Sequence, residues 1–229
     1  MKKRILTLAL VVAALATCFG GTLAYLQDSK SQKNTFTTGN VYINLDETDV
    51  NDATKRTDKN QTYHLFPGAV ITKDPTITVK AESESAWVAA KVTVTGNLYG
   101  VAGIAGTNMI DINTVAKGGL LAKAPAAVQN WNGLALVHET ADCVVYQDAS
   151  KAGNNTWTLY VFMKAVQPKN ATIALFERIE IPATWGNTEM TAVNGMEISV
   201  QAFAAQTYGF DTCYQAMTTA FATEFAAVK

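Results

Sequence analysis

The sequence is poor in the residues that build common catalytic and nucleic-acid-binding sites. It has only two histidines and three cysteines among 229 residues, and 16% of the chain is charged. The formal net charge of -1 offers no basic surface to nucleic acid. Phosphate-binding and dinucleotide-binding glycine motifs in a suitable context are also missing. No internal repeat is visible, which argues against a solenoid.

The N-terminus carries a targeting segment instead. Residues 2–4 are all basic, residues 5–17 form an apolar run, and small residues lead up to Ala24. This order is typical of a secretory signal peptide over residues 1–24, cleaved between Ala24 and Tyr25. We therefore expect secretion to the cell surface or the extracellular matrix. The alternatives are an uncleaved membrane anchor, for which the run is short, and a lipoprotein.

Two cysteines, Cys143 and Cys213, follow the signal peptide. Export would place them in an oxidising compartment, where one disulfide can form. They can equally be two separate buried thiols, because free cysteine is among the most buried residue types. The sequence does not fix the distance between their Cα atoms, so both alternatives stay open.

Most of the remaining chain shows the period-two alternation of half-buried strands. In residues 87–94, for example, Val88, Ala90, Val92 and Val94 alternate with the other side chains. Similar segments are residues 41–45, 76–81, 157–163, 175–181 and 196–203. Turn residues such as Pro67-Gly68 separate them. The pattern predicts an all-β, mainly antiparallel, jelly-roll-like β-sandwich over residues 41–229.

Helical signals are few. Residues 211–226 have Asp211 as a candidate N-cap. Apolar side chains then recur at helical spacing, namely Tyr214, Met217, Phe221 and Phe225. We expect this helix to dock on the sandwich. A shorter helix is expected within residues 109–117, and the stretch 101–136 has no pattern that places it.

The junction after the signal peptide resembles that of the TasA/camelysin family of Gram-positive bacteria. In that family an aromatic residue and an aspartate follow the small-residue signal end, as Tyr25 and Asp28 do here. The segment NTFTTGNV at residues 34–41 continues the family pattern. The stretches PGAVITKD at residues 67–74 and ISVQAFAAQTYGFD at residues 198–211 resemble further family motifs.

The resemblance implies a jelly-roll β-sandwich and cleavage by a SipW-type signal peptidase. It also implies assembly into biofilm-matrix fibres by donor-strand complementation, in which residues 25–40 of one subunit insert into the sheet of the next. The arm residues it singles out are Tyr25, Leu26, Asp28, Asn34, Phe36 and Gly39. Partners would be further copies in a head-to-tail homopolymer, with an accessory matrix protein left open. Alternatively, the arm forms the subunit's own first strand or stays disordered.

An enzymatic function finds little support in the residues. The nearest approach to the zinc-binding HExxH motif is HETAD, which begins at His138-Glu139 and has Asp142 in place of the second histidine. We therefore predict a polar turn there, with no catalytic residues and no zinc site. The acidic loop from Asp46 to Asp58 could bind Ca²⁺, but it lacks the EF-hand spacing, and a solvated loop is the alternative.

The four tryptophans leave a third function open. They could line a carbohydrate-binding face or pack in the core; they are Trp87, Trp131, Trp157 and Trp185. The sequence thus favours a secreted structural fibre subunit. The alternatives are a camelysin-like secreted metallopeptidase and a monomeric adhesin or glycan-binding module.

Overall fold

The computed structural model describes residues 40–95, 129–131, 134–148, 156–181, 183–192, 194–195 and 197–228. All of them fall in one compact unit, Gly39–Lys229. The predicted signal peptide, its cleavage site and the arm up to Gly39 lie outside the described residues. So does the helix expected within residues 109–117.

The described part is built mainly from strands. They are β1 Ile43–Asp49, β2 Asp52–Thr57, β3 Val70–Thr72, β4 Thr76–Val79, β5 Ala86–Thr95, β6 Gln129–Trp131, β7 Leu134–Glu139, β8 Cys143–Asp148, β9 Thr156–Met163, β10 Thr172–Ala174, β11 Arg178–Glu180 and β12 Glu197–Gln206. Helices α1 Asn187–Ala192 and α2 Cys213–Ala220 and the 3₁₀ helix Ala226–Val228 complete it. Among the described residues, no helix is long and apolar enough to cross a membrane.

The strands form antiparallel sheets that pack as a sandwich. One sheet has the order β12-β5-β9-β8-β7-β6, and the other has the order β10-β4-β1-β2. Strands β11 and β3 form a separate two-stranded sheet, whose Ile179 and Ile71 pack in the core between the sheets. This confirms the predicted all-β, antiparallel sandwich.

Two apolar clusters cover the two faces of the six-stranded sheet. Val88, Val92 and Val161 point into the first cluster, between the sheets, where Ile77 and Ile173 of the smaller sheet meet them. Trp87, Tyr160 and Phe162 point into the second cluster, which α2 covers. The alternation along β5 and β9 explains this division, because successive side chains of a strand face opposite sides of its sheet.

The apolar side chains of the C-terminal segment dock on the sandwich as expected, but the helix is shorter than predicted. Met217 and Phe225 are completely buried against the six-stranded sheet. The N-cap is Thr212 rather than Asp211, because the Thr212 hydroxyl accepts from the Gln215 amide at 3.2 Å. The Asp211 amide instead donates to the Gln215 side chain. Phe225 therefore reaches the core from beyond the end of α2.

Two sequence-based assignments are wrong. Residues 46–58 were expected to be a loop, yet residues 43–57 form the β1–β2 hairpin. Most side chains of β2 are exposed, so no apolar alternation reveals the strand. Residues 175–181 were expected to be one strand, but the chain bends between β10 and β11. The buried side chains of Leu175 and Phe176 at this bend resemble a strand in the sequence alone.

Candidate assembly site

Strand β12 forms one edge of the six-stranded sheet. It pairs with β5 along its whole length, from Glu197 opposite Thr95 to Gln206 opposite Ala86. On its other side, no strand among the described residues pairs with it. Within the described structure this edge is ten residues long and open, and an open edge is a template for another strand.

The inward face of β12 is apolar and incompletely covered. Ile198, Val200 and Ala202 pack against the core between the sheets, yet each remains partly exposed. Their partners on β5 are almost completely buried, with Val92 at 0% and Ala90 at 1% exposure. One further strand beside β12 would cover this apolar surface.

Strand β1 brings a second open edge to the same place. It lies against β12, and its side chains Ile43 and Leu45 are also partly exposed on the same core. The pairing of β1 with β2 is confined to Glu47–Asp49. The first half of β1 therefore pairs only with β4 in the described structure. We call this place the edge seam, defined by Ile43, Leu45, Ile198, Val200 and Ala202.

The described chain begins close to the edge seam. The Glu84 amide donates to the Asn40 carbonyl at 2.9 Å, and the Tyr42 amide donates to the Ser83 hydroxyl at 2.9 Å. The Ser83 side chain is completely buried. These bonds hold the first described residues at the end of the sandwich where β5 begins.

A charged network holds the β1–β2 hairpin in place. The Arg56 guanidinium bonds the carboxylates of Asp46 and Asp74, with Nη1 at 2.7 Å from Asp74 Oδ2. The Thr48 amide donates to Asp74 Oδ1 at 2.7 Å, and the Thr48 hydroxyl donates to Oδ2 at 2.9 Å. Burial raises the pKa of Asp74, but these hydrogen bonds and Arg56 outweigh it, so the net pKa is lowered.

A second ion pair extends the network inward. Lys73 Nζ lies 2.8 Å from Glu47 Oε2, and both side chains are largely shielded from solvent. The same ammonium group lies 5.2 Å from the ring centre of Tyr63. Burial and the Glu47 carboxylate raise the pKa of the Tyr63 hydroxyl. Buried charges need such partners, and this pair joins Glu47 of β1 to Lys73, the residue after β3.

The proposed calcium loop is therefore a paired hairpin. Three of its five acidic side chains are engaged by cations, since Asp46 bonds Arg56, Glu47 bonds Lys73, and Asp52 bonds Lys55 at 2.7 Å. Within the described residues, no three acidic, histidine or cysteine side chains are grouped to hold a metal ion. Ca²⁺ binding at Asp46–Asp58 stays a prediction that these contacts do not favour.

The residues nearest to a zinc motif lie on a strand. His138 and Glu139 end β7, and the turn covers residues 140–142, so the polar turn begins later than predicted. The Glu139 carboxylate pairs with Lys164 Nζ at 2.6 Å. On a strand, His138 and Glu139 do not share the helical face on which the zinc motif places its ligands.

The cysteines are two separate buried thiols. Cys143 points into the core between the sheets, whereas Cys213 lies in the cluster under α2. Burial raises the pKa of both thiols, that of Cys213 to about 12. The alternative of a disulfide does not apply, because the two side chains are on opposite faces of the six-stranded sheet.

Two of the four tryptophans are not available to a sugar ligand. Trp87 and Trp185 are 6% and 8% exposed, and the Trp87 indole donates to the Phe210 carbonyl at 3.3 Å. The side chains of Trp131 and Trp157 lie outside the described residues. Core packing therefore accounts for the first two.

Sequence reasoning named the arm but not the surface that could receive it. Its residues Tyr25 to Gly39 lie outside the described residues, so their placement stays a prediction. The sequence pattern predicted a strand at residues 196–203 but did not identify this strand, β12, as an edge of the sheet. The available signal was the small and apolar inward face, Ile198, Val200, Ala202 and Ala204.

Comparison with known protein families gives a match in the N-terminal part of the chain. Residues 1–84 match the protein family described as Camelysin metallo-endopeptidase. This match covers the predicted signal peptide, the predicted arm and the described strands β1 to β4 before β5. It confirms the resemblance to the TasA/camelysin family. No curated protein and no solved structure matches the chain significantly.

Proposed function

We propose that this chain, whose first 84 residues match the camelysin family, is a structural subunit of extracellular fibres. Each subunit donates residues 25–40 to the edge seam of its neighbour. The observation that carries the proposal is β12, an edge strand whose apolar inward face is only partly covered.

The chemistry of the arm suits such an insertion. Most of its side chains are Ser, Lys, Gln, Asn and Thr, with Tyr25, Leu26 and Phe36 as apolar anchors. Such a segment cannot build a core of its own. Paired with an edge strand, it gains main-chain hydrogen bonds, and every second side chain faces the core. The contact joins two different surfaces, so it repeats without closing on itself.

The same proposal places the protein outside the cell. A SipW-type signal peptidase would cut before Tyr25 and free the arm, so fibres would form in the extracellular matrix or at the cell surface. The fibre would be a homopolymer, with or without an accessory matrix protein. Cleavage would be the trigger, because the arm cannot leave the membrane while it is tethered to the signal peptide.

Deletion and addition of the arm test this function. We compare residues 25–229 with residues 39–229 by sedimentation, after circular dichroism and thermal melting show that both are folded. Large polymers are expected from the first protein alone. A synthetic peptide of residues 25–40 should raise the melting temperature of the shorter protein, and a scrambled peptide should not. Polymers from both proteins would show that the arm is dispensable.

The family description favours a second candidate, a metallo-endopeptidase. In this chain the residues to test are His138 and Glu139. Hydrolysis of casein that is lost on chelation and lost in Glu139→Gln would establish an enzyme. Because Asp142 stands where the zinc motif needs its second histidine, we expect no chelator-sensitive hydrolysis and no difference between the wild type and the variant.

A further inference from the structure

We propose that Asn194 is a site of self-modification, at which the backbone nitrogen of Gly195 displaces the side-chain amide and converts Asn194 to aspartate or isoaspartate. This inference goes beyond the fibre function and does not depend on it. It rests on the sequence Asn194-Gly195, on the exposure of both residues, and on the hydrogen bonds of the turn in which they lie.

Asn194 and Gly195 lie in the turn that joins α1 to β12. Helix α1 ends at Ala192, and β12 begins at Glu197. The Asn194 amide donates to the Thr191 carbonyl at 3.3 Å. Both Asn194 and Gly195 are exposed, so water and hydroxide can reach the reacting groups.

The Gly195 nitrogen is the group that would attack. Its N–H makes no hydrogen bond to another described residue. A backbone N–H that donates to a carbonyl would have to give up that bond before its nitrogen could attack a neighbouring side chain. The Gly195 nitrogen does not carry this cost within the described structure.

The surroundings of Gly195 leave room for the reaction. Its φ is +75°, and nothing lies within 4 Å of the position that a Cβ would occupy. Because glycine has no Cβ, its backbone reaches conformations that other residues rarely adopt. The Gly195 nitrogen can therefore approach the side-chain carbonyl of Asn194 without a clash at Gly195.

Asn170 shows the protected arrangement in the same molecule. It also lies in an exposed turn, with a φ of 62°. The amide of the next residue, Ala171, donates to the Pro168 carbonyl at 3.1 Å, and the Asn170 amide donates to the Val79 carbonyl at 2.8 Å. The nitrogen after Asn170 is thus held in a hydrogen bond, whereas the nitrogen after Asn194 is not held by a described residue.

The reaction consumes only water. A base removes the proton of the Gly195 amide, and the nitrogen attacks Cγ of Asn194. As the new N–C bond closes a five-membered succinimide, the bond from Cγ to the side-chain nitrogen breaks, and this nitrogen takes up a proton and leaves as ammonia. Water then opens the ring. Opening at the side-chain carbonyl gives aspartate, and opening at the main-chain carbonyl gives isoaspartate.

The products change the turn that leads into the edge strand. Each has a carboxylate where Asn194 is neutral, close in sequence to the exposed Glu197 that begins β12. In isoaspartate the main chain also passes through Cβ, which lengthens the turn by one carbon atom. Time and pH set the extent of conversion without an enzyme, so the charge at this turn would record the age of each molecule.

Mass spectrometry of incubated protein tests the proposal. The mature chain, residues 25–229, is kept at pH 6 and at pH 8 and then digested with a protease that cuts after glutamate. This releases residues 190–197, in which Asn194 is the only asparagine. Asn194→Gln is the matched control, because it keeps an exposed amide but would have to close a less favourable six-membered ring.

The folded protein decides the outcome. We expect residues 190–197 to convert with time into separable aspartate and isoaspartate forms, faster at pH 8 than at pH 6. The same fragment of Asn194→Gln and the fragment that contains Asn170 should stay unchanged. A folded protein that keeps Asn194 intact, whether or not it converts in urea, would overturn the proposal, as would equal conversion at Asn170. Neither result would affect the fibre function, since the measurement does not involve assembly.

Discussion

Val92 and Val200 face each other across the β5–β12 pair and point into the same core, yet only Val92 is completely buried. Val200 remains partly exposed because β12 has no second neighbouring strand in the described structure. A folded sandwich normally protects such an edge with charge, proline or a covering segment. The inward face of β12 has no charged side chain, so this edge is open to a further strand, as the proposed fibre requires.

A charge on the inward face of β12 should block assembly. Ala202 points into the edge seam, whereas its neighbour Gln201 is exposed on the other face. We expect Ala202→Lys to raise the subunit concentration needed for filaments at least about tenfold, equivalent to about 1.4 kcal/mol. Gln201→Lys is the matched control and should assemble like the wild type. Equal behaviour of the two variants in a sedimentation assay would contradict the role of the edge seam.

The network around Asp74 predicts a specific acid sensitivity. The folded-state pKa of Asp74 is lowered, so its charge stabilises the fold above the unfolded value, about 3.9. That stability is lost as the pH falls through the folded value. We expect Asp74→Asn to cost about 1–2 kcal/mol at pH 7 and progressively less below pH 4. Urea unfolding at pH 7 and at a pH below 4 measures the free energy that each variant loses, with Asp58→Asn, a change of an exposed carboxylate, as the control. A cost that does not change with pH would contradict it.

The C-terminal segment should contribute strongly to stability. Phe225 is completely buried and contacts the rings of Tyr160, Phe162 and Phe203. We expect Phe225→Ala to reduce the free energy of unfolding by about 3–5 kcal/mol. Tyr208, which is 87% exposed, provides the control. We expect Tyr208→Ala to change the free energy of unfolding by less than about 0.5 kcal/mol. Chemical denaturation of both variants makes the comparison, and similar losses would argue against the docking of this segment.

The two thiols should be inert while the protein is folded. Burial raises the pKa of Cys143 and Cys213, and the thiolate is the reactive form. We expect neither to react with a thiol reagent in native protein at pH 8, and both to react after denaturation in urea without reductant. Failure to label in urea would indicate a disulfide. Rapid labelling of native protein would indicate that the clusters around these thiols open readily.

The fold class and the buried side chains of the C-terminal segment could be predicted because both depend on apolar periodicity. Val88, Ala90, Val92 and Val94 occupy every second position of one strand, and Met217 and Phe225 recur at helical spacing. The β1–β2 hairpin was not predicted from the sequence. Backbone pairing and the contacts of Arg56 with two aspartates stabilise it, and such interactions produce no apolar pattern. The bend at Leu175-Phe176 was not predicted because buried apolar residues at a bend resemble a continuous strand in the sequence.

Only the donor side of the proposed assembly site leaves a signal in the sequence, and that side stays a prediction. The arm has a local motif, so residues 25–40 could be named from the chain alone. An edge strand has no such signature, because the neighbours of β12 are decided by tertiary pairing. Only the register with β5 and the partial exposure of Val200 reveal it.

Electron microscopy of purified residues 25–229, beside the same protein with a short extension ahead of Tyr25, tests the central claim most directly. The extension mimics the uncleaved state and should prevent the arm from entering a neighbouring subunit. We predict filaments from the free-ended protein and monomers from the extended one. Monomers from both, or filaments from both, would contradict assembly through a free N-terminal arm.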